Sequence, residues 1–208
     1  RRLATAWSAT ARRLHREFKV SVGFVNGKRC LGGFLDLFMH CHYLVAVDDA
    51  VLGMPEATLP VVPGMEGCHW PFRKTDASQW PKLLRMLLTG MPVKAKEALG
   101  WLVDYAGPME QSLQTAWRLA SGQAAGVTLR KLDEGALKGV PADAVPAASD
   151  NPATEAARRF IMRSITDSCG VPLSEALDVQ AGHSADFMVS QFCRDGSIGT
   201  ECQRTMKV

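Results

Sequence analysis

Between Cys30 and Gly67 the chain changes its backbone requirement every few residues: CLGGFLDLFMHCHYLVAVDDAVLGMPEATLPVVPGMEG. Gly32-Gly33 opens an apolar segment to Cys41 that reads as a short helix. Tyr43 to Val47 and Ala50 to Leu52 read as short strands on either side of an Asp48-Asp49 turn. Pro55, Pro60, Pro63 and Gly64 then forbid regular helix through the following loop. Such short, punctuated elements fit neither a helical bundle nor a simple sandwich. They predict an α/β arrangement with a loop-borne site.

The flanking sequence supports that reading. Leu3 to Glu17 predicts a helix with Leu3, Ala6, Trp7, Thr10 and Leu14 on one side and arginines around the rest. Val20, Val22 and Phe24 alternate before Asn26-Gly27, which predicts a strand and a turn. Further helices are expected over Gln79 to Leu88, ended by Thr89-Gly90, over Val93 to Leu99 after Pro92, and over Met109 to Ala120. A strand is expected over Leu102 to Tyr105. From Ser121 to Pro152, glycines and prolines punctuate an Ala-rich stretch. This is read as a loop-rich insertion or linker with one helical turn around Leu129 to Leu137. Ala153 to Met206 is helical again, broken near Gly170-Val171-Pro172 and Asp195-Gly196. The organisation is therefore a core over 1–120, the insertion over 121–152 and a helical region over 153–208.

Bulk properties exclude some functions. The 208 residues are 47% hydrophobic and 22% charged, which suits a globular chain with a real core. A net charge of +3 makes no case for nucleic acid. The early arginines (Arg1, Arg2, Arg12, Arg13, Arg16) read as a solvated helix face, with anionic phosphates as the other use for them. Six cysteines without a CxxC pair fit reduced, mostly buried thiols and a cytoplasmic location. No apolar run approaches the roughly 18 residues of a membrane span.

The chemistry concentrates in the opening stretch. Gly32 and Gly33 would let a ligand approach bare backbone amides at a helix start, where the dipole favours an oxyanion; the plainer reading is a tight turn. Asp36, one turn in, is either an acid buried among Phe34, Leu35, Leu37 and Phe38 or a carboxylate satisfying helix-start amides. Glu56, fixed by Pro55, precedes an apolar loop. It reads as a second buried acid or as a solvated loop residue. Glu66 sits in a glycine-rich bend and is expected at the surface or facing the same cavity. His40-Cys41-His42 invites a zinc reading, but neighbouring residues share no helix face and no partner pair stands at ligand spacing. No metal site is expected.

Together these residues resemble the crotonase (enoyl-CoA hydratase/isomerase) superfamily. The "VNG" turn recurs as Val25-Asn26-Gly27 and the glycine-pair helix as Leu31-Gly32-Gly33. The "PE" loop recurs as Met54-Pro55-Glu56, and the "IPG-x-GG" loop as Val62-Pro63-Gly64-Met65-Glu66-Gly67. Leu88-Thr89-Gly90 with Ala95-Lys96-Glu97-Ala98-Leu99 is similar to the "LTG…A-EAL" segment, and Leu102-Val103-Asp104 to its "GLV" strand. Leu173 to Gly199, with Phe192 and Asp195-Gly196, resembles the family's carboxy-terminal helices. The likeness covers most of the chain outside 121–152.

The resemblance implies a partial crotonase-like spiral of ββα units followed by a helical carboxy-terminal region that builds a homotrimer or hexamer. It makes Gly33 an oxyanion donor to a thioester oxygen, and Asp36 and Glu56 the acid/base pair, with Glu66 accessory. Gly32, Gly33 and Phe192 would contact the CoA thioester, which is substrate; no separate cofactor is implied. The implied chemistry is isomerisation or hydration (lyase chemistry) in fatty acid metabolism. An Asp–Glu pair is similar to that of dienoyl-CoA isomerases, whereas hydratases use two glutamates.

Two departures stand out. Glu66 occupies a position that is glycine in most relatives. The family's amino-terminal stretch, with its second oxyanion amide, has no counterpart before Arg1. A further segment or chain is expected to supply it and to cover an exposed strand edge. The alternative is a non-catalytic oligomerisation or acyl-CoA-binding protein.

Overall fold

The first four strands enter two sheets by turns; the fifth joins the second sheet and the sixth the first. β1 (Val22–Val25), β3 (Tyr43–Val47) and β6 (Tyr105–Gly107) form one sheet in the order β1-β3-β6, parallel throughout. β2 (Arg29–Leu31), β4 (Val51–Gly53) and β5 (Val93–Lys94) form the other in the order β2-β4-β5. Its first pair is parallel and its second antiparallel. The tight connections after β1 and β3 each carry the chain from the first sheet to the second, so each of these two circuits adds one strand to both sheets. This computed structural model describes residues 2–140 and 144–196.

Helices close the spiral. They are α1 (Arg2–Arg16), α2 (Gly33–Met39), α3 (Trp70–Arg73), α4 (Trp80–Thr89), α5 (Met109–Ala120), α6 (Pro152–Cys169), α7 (Leu173–Met188) and α8 (Gln191–Asp195). α4 shows how the sequence dictates this layer. Leu83, Leu84, Leu87 and Leu88 fall on one face and are all buried, at about 1.5–3 kcal/mol for each leucine taken out of water. Gly90 ends the helix at φ 67°, a left-handed cap that glycine adopts without strain. Asn151 starts α6 by accepting the amides of Ala153 and Thr154, with Pro152 in the first turn. The main core joins Leu35, Leu44, Leu52 and Met54 to Trp70, Leu83, Ile161 and Ile165. A smaller one lies beneath α5 around Val45, Ala116 and Leu119.

The α/β spiral and the helical carboxy-terminal region are as the sequence predicted, with local differences. Val93 to Leu99 is not a helix. Val93 and Lys94 pair with Leu52 and Val51, Ala95 N–H donates to Ala50 C=O at 2.8 Å, and only a 3-10 turn follows at Ala95–Glu97. The last strand begins later than Leu102, because Leu102 and Val103 donate to Ala98 C=O and so form a turn. β2, α3 and a 3-10 turn at Pro55–Thr58 were not foreseen. The expectation of helix to Met206 lies, beyond Gly196, outside the described residues.

No helical turn forms around Leu129 to Leu137. The segment is a strap held by side chains from the core. Leu132, Leu137 and Val140 pack on the main core. Arg130 donates to Asp104 Oδ1 at 2.6 Å and to the carbonyls of Trp101 and Leu102. The buried Arg73 donates to Asp133 and Gly135 in the strap, to Ser168 in the last turn of α6 and to Val171 after it. Among the described residues β1 pairs only with β3 and β2 only with β4, so each sheet has an unpaired edge.

Arg73→Met should therefore strip four carbonyls of a charged donor and destabilise the chain by about 3 kcal/mol or more. Urea unfolding would measure the loss, and limited proteolysis should show cleavage in the strap first. An unchanged midpoint would contradict this account of the strap.

Candidate active site

Gly32 decides the entry to α2. It holds φ 58° and ψ −132°, a conformation that L side chains rarely adopt, and its N–H donates to Gly53 C=O at 2.9 Å. A Cβ built there would lie 2.8 Å from Glu56 Oε1. Glycine is thus required twice, by the backbone and by the carboxyl group beside it. Gly33 follows on the surface, and its N–H, in the first turn, has no helical carbonyl behind it. Phe34 beside it is 73% exposed.

Asp36 lies on the inner face of α2, 1% exposed, and neither of its carboxyl oxygens has a hydrogen-bond partner. Burial, and then the charges of Glu56 and Glu66, push its pKa well above the usual carboxylate range. Gly67 presses on it from the other side: a Cβ there would stand 2.2 Å from Asp36 Oδ1. Glu56, on the Pro55–Thr58 turn, is 9% exposed and leaves Oε2 without a partner. Burial raises its pKa to about 7, against the pull of its own amide. Two buried carboxyl groups thus sit between two glycine backbones, without a cation beside them. Such an arrangement can hold one proton and pass another.

Glu66 is the opposite case. It is buried, not at the surface, and all around it are donors. Arg12 reaches it with Nε, 2.9 Å from Oε1 and 2.8 Å from Oε2, and with Nη2 on Oε1. His40 Nε2 lies 3.2 Å from Oε2. His69 Nε2 stands 3.1 Å from Oε1 but off the hydrogen-bonding direction. Burial works against ionisation here, yet Arg12, His40 and His69 outweigh it and hold the pKa below the usual range. Glu66 stays charged and neutralised. Arg12, expected on a solvated face, is 4% exposed because Glu66 needs it.

The other predicted residues divide. Phe192 is half-exposed on α8, beside Phe160 and Arg159 at a cavity of about 430 Å³. α8 ends against Pro60, in the loop that follows Glu56: a Cβ at Gly196 would be 3.0 Å from Pro60 Cβ. His40 donates from Nδ1 to Asp36 C=O at 2.8 Å, while His42 Nδ1 accepts from Ser21 N–H and its ring stacks on His15 at 4.4 Å. Among the described residues no group of His, Cys, Asp and Glu is placed to hold a metal. Sequence reasoning missed Arg12, His69 and Gln180 as parts of the site's surroundings. One signal was available: a glutamate in a glycine position inside an apolar loop calls for a cation.

The model of the enoyl-CoA hydratase/isomerase family matches residues 5–132, more than half of the chain. The chain belongs to the enoyl-CoA hydratase/isomerase family. It is 39% identical over 104 residues to a glyoxysomal fatty acid beta-oxidation multifunctional protein of Cucumis sativus, covering 49% of this chain and 14% of that protein. It is 32% identical over 186 residues to a fatty acid oxidation complex subunit alpha of Shewanella loihica, covering 81% of this chain and 25% of that one. The chain thus spans a quarter or less of these relatives. An enoyl-CoA hydratase structure from Geobacillus kaustophilus shares the fold at TM-score 0.53 and 19% identity, over 98% of this chain and 66% of its own. A carnitinyl-CoA dehydratase from Mycobacterium avium does so at 0.52 and 20%, over 83% and 57%. No helix among the described residues is long and apolar enough to cross a membrane.

The raised pKa of Glu56 has a stability consequence in this hydratase/isomerase-family chain. An unfolded glutamate loses its proton near 4.5, whereas the folded one keeps it to about 7. Across that window the unfolded state binds fewer protons, so stability falls as pH rises. Glu56→Gln should remove this slope and be more stable than wild type at pH 8 by roughly 2–3 kcal/mol. Urea unfolding of both proteins from pH 4.5 to 8 gives the difference, in which the shared histidines cancel. Parallel curves would mean that Glu56 ionises normally.

Proposed function

We propose that the chain carries the acid/base centre of an acyl-CoA enzyme that moves a proton along an unsaturated acyl-CoA thioester. The observation that carries this reading is the pair of buried acids, Asp36 with neither carboxyl oxygen partnered and Glu56 with Oε2 unpartnered. Glu56 is the first of the two to lose its proton near neutral pH and acts as base on a carbon made acidic by the thioester. The electron pair moves onto the thioester oxygen, and the Gly33 N–H stabilises that oxyanion; such a donor is worth about 3–4 kcal/mol of barrier. Asp36, protonated, returns a proton further along the chain. The CoA thioester is substrate, and no other cofactor enters. Phe192 and Gly32 border the bound thioester.

Isomerisation fits this site better than hydration. Hydration needs a water held by both carboxylates, and Asp36, one methylene shorter than a second glutamate, is less well placed to hold it. A second reading also has support: at 1% exposure Asp36 is closed to a substrate in this chain alone, which suits a non-catalytic acyl-CoA-binding or oligomerisation role. Under the first reading, an additional amino-terminal segment or chain pairs with the open edges of β1 and β2 and completes the oxyanion hole. The assembly would be a trimer or hexamer built through 153–208, and a reducing cytoplasm suits its buried thiols.

Asp36→Asn and Glu56→Gln should each lower turnover of a conjugated enoyl- or dienoyl-CoA by roughly 10²–10⁴-fold while CoA binding persists. Loss of the enoyl chromophore measures turnover, and a thermal shift with the CoA ester measures binding. Full activity in either variant sinks the assignment. Binding without turnover in the unaltered assembly selects the second reading.

A further inference from the structure

The loop around Glu66 is built at a cost that the fold alone does not require. Met65 and Glu66 hold φ values of 39° and 69°, in the left-handed region where a non-glycine residue is strained. The side chain that follows from this geometry is a fully buried carboxylate.

Four elements converge on it. Arg12 brings in α1, and its Nη2 also donates to Leu173 C=O at the start of α7 at 2.9 Å. His40 brings in the end of α2: its Nδ1–H donates to the carbonyl of Asp36 and its Nε2 faces Glu66. Gln180 on α7 clamps the loop itself. Its amide donates to Pro63 C=O at 2.8 Å, which leaves Oε1 to accept from Cys68 N–H at 3.3 Å and from His69 Nδ1–H at 2.9 Å. The carbonyl of Glu66 accepts the amides of His69 and Trp70, and so begins α3.

Gly67 follows directly in the chain, and its backbone is what lies against Asp36 Oδ1. We infer that Glu66, anchored by Arg12, is a positioning residue: it holds the backbone at Gly67 against the carboxyl group of Asp36 and keeps water off it. The inference rests on the reading of Asp36 as one of the acid pair. It makes Glu66 not a third acid but the residue that makes Asp36 unusual.

Asp36 is faced by Glu56 from the Pro55–Thr58 turn, by Glu66, and by the thiols of Cys30 on β2 and Cys68 in the loop. None of these is a cation. The Arg12 guanidinium is spent on Glu66. Burial and like charge therefore act on Asp36 in the same direction, and loosening the loop relieves both.

The test is a titration without substrate, so it can fail while the turnover experiments stand, and the reverse. In the full chain the carboxyl carbon of Asp36 is followed by NMR against pH, together with hydrogen exchange of the amides of Gly67 to Trp70. Glu66→Gln alone would strand the Arg12 charge and risk unfolding, so the informative variant is Arg12→Met with Glu66→Gly, which removes the pair and its backbone strain together. In it, the Asp36 midpoint should fall by about one pH unit or more, and loop exchange should quicken roughly tenfold or more. Arg12→Lys, which keeps the ion pair, should stay nearer wild type in both. An unchanged Asp36 midpoint in the double variant overturns the proposal whatever the loop does. A double variant that unfolds also overturns it, by assigning the pair to global stability alone.

Discussion

The ion pair between Arg12 and Glu66 is the contact on which the site's surroundings depend. Each ion costs several kcal/mol to bring out of water, and only good geometry offsets that. Here the guanidinium meets both carboxylate oxygens and keeps a further N–H for Leu173 C=O. The pair joins the first helix of the chain to a loop 54 residues away and to a helix 161 residues away. Trp70 fills the space around it, with His40 stacked at 4.1 Å and Arg12 lying 6.0 Å from its ring centre. An aromatic face suits the guanidinium because its diffuse charge is weakly hydrated.

A few residues away the same physics gives the opposite state. Glu66 meets the Arg12 guanidinium and is ionised; Asp36 and Glu56 have no side-chain donor and are pushed towards neutrality. Burial is common to all three. The presence or absence of a cation is what separates them, not the depth of the side chain. A fold selected only for stability would give the pair a partner or replace it, because a buried unsatisfied carboxyl costs about 1–3 kcal/mol. Their persistence without partners is a physical reason for treating them as chemistry rather than structure.

Much of this was legible in the sequence, and the boundary is instructive. Local patterns placed β1, β3, α4 with its Gly90 cap and α5 with small errors, because their signals are contained within the elements themselves. Asp36 and Glu56 could be singled out for the same reason: apolar neighbours or a proline mark each of them. What failed was non-local. Nothing near Arg12 distinguishes it from Arg13 or Arg16 except its place beside Ser8 and Ala11 on the buried face of α1. Nothing in 129–137 reveals that Arg73, some sixty residues earlier, holds that strap by its carbonyls. Val93 to Leu99 failed differently, since tertiary pairing with β4 overrode a helical pattern.

The glycines show how the two kinds of information meet. Gly32 and Gly67 were visible as turn residues, and a turn explains the positive φ of Gly32. It does not explain Gly67, which has no positive φ and is required only because Asp36 occupies the space of its side chain. Glu66 is the mirror image: it accepts a left-handed backbone that glycine would hold without strain, and does so for the sake of its carboxylate. Along Glu66-Gly67 the backbone preference and the residue types are therefore exchanged relative to local expectation. Two adjacent departures of this kind have one common cause, the need to place a neutralised charge behind the loop and a bare backbone in front of Asp36.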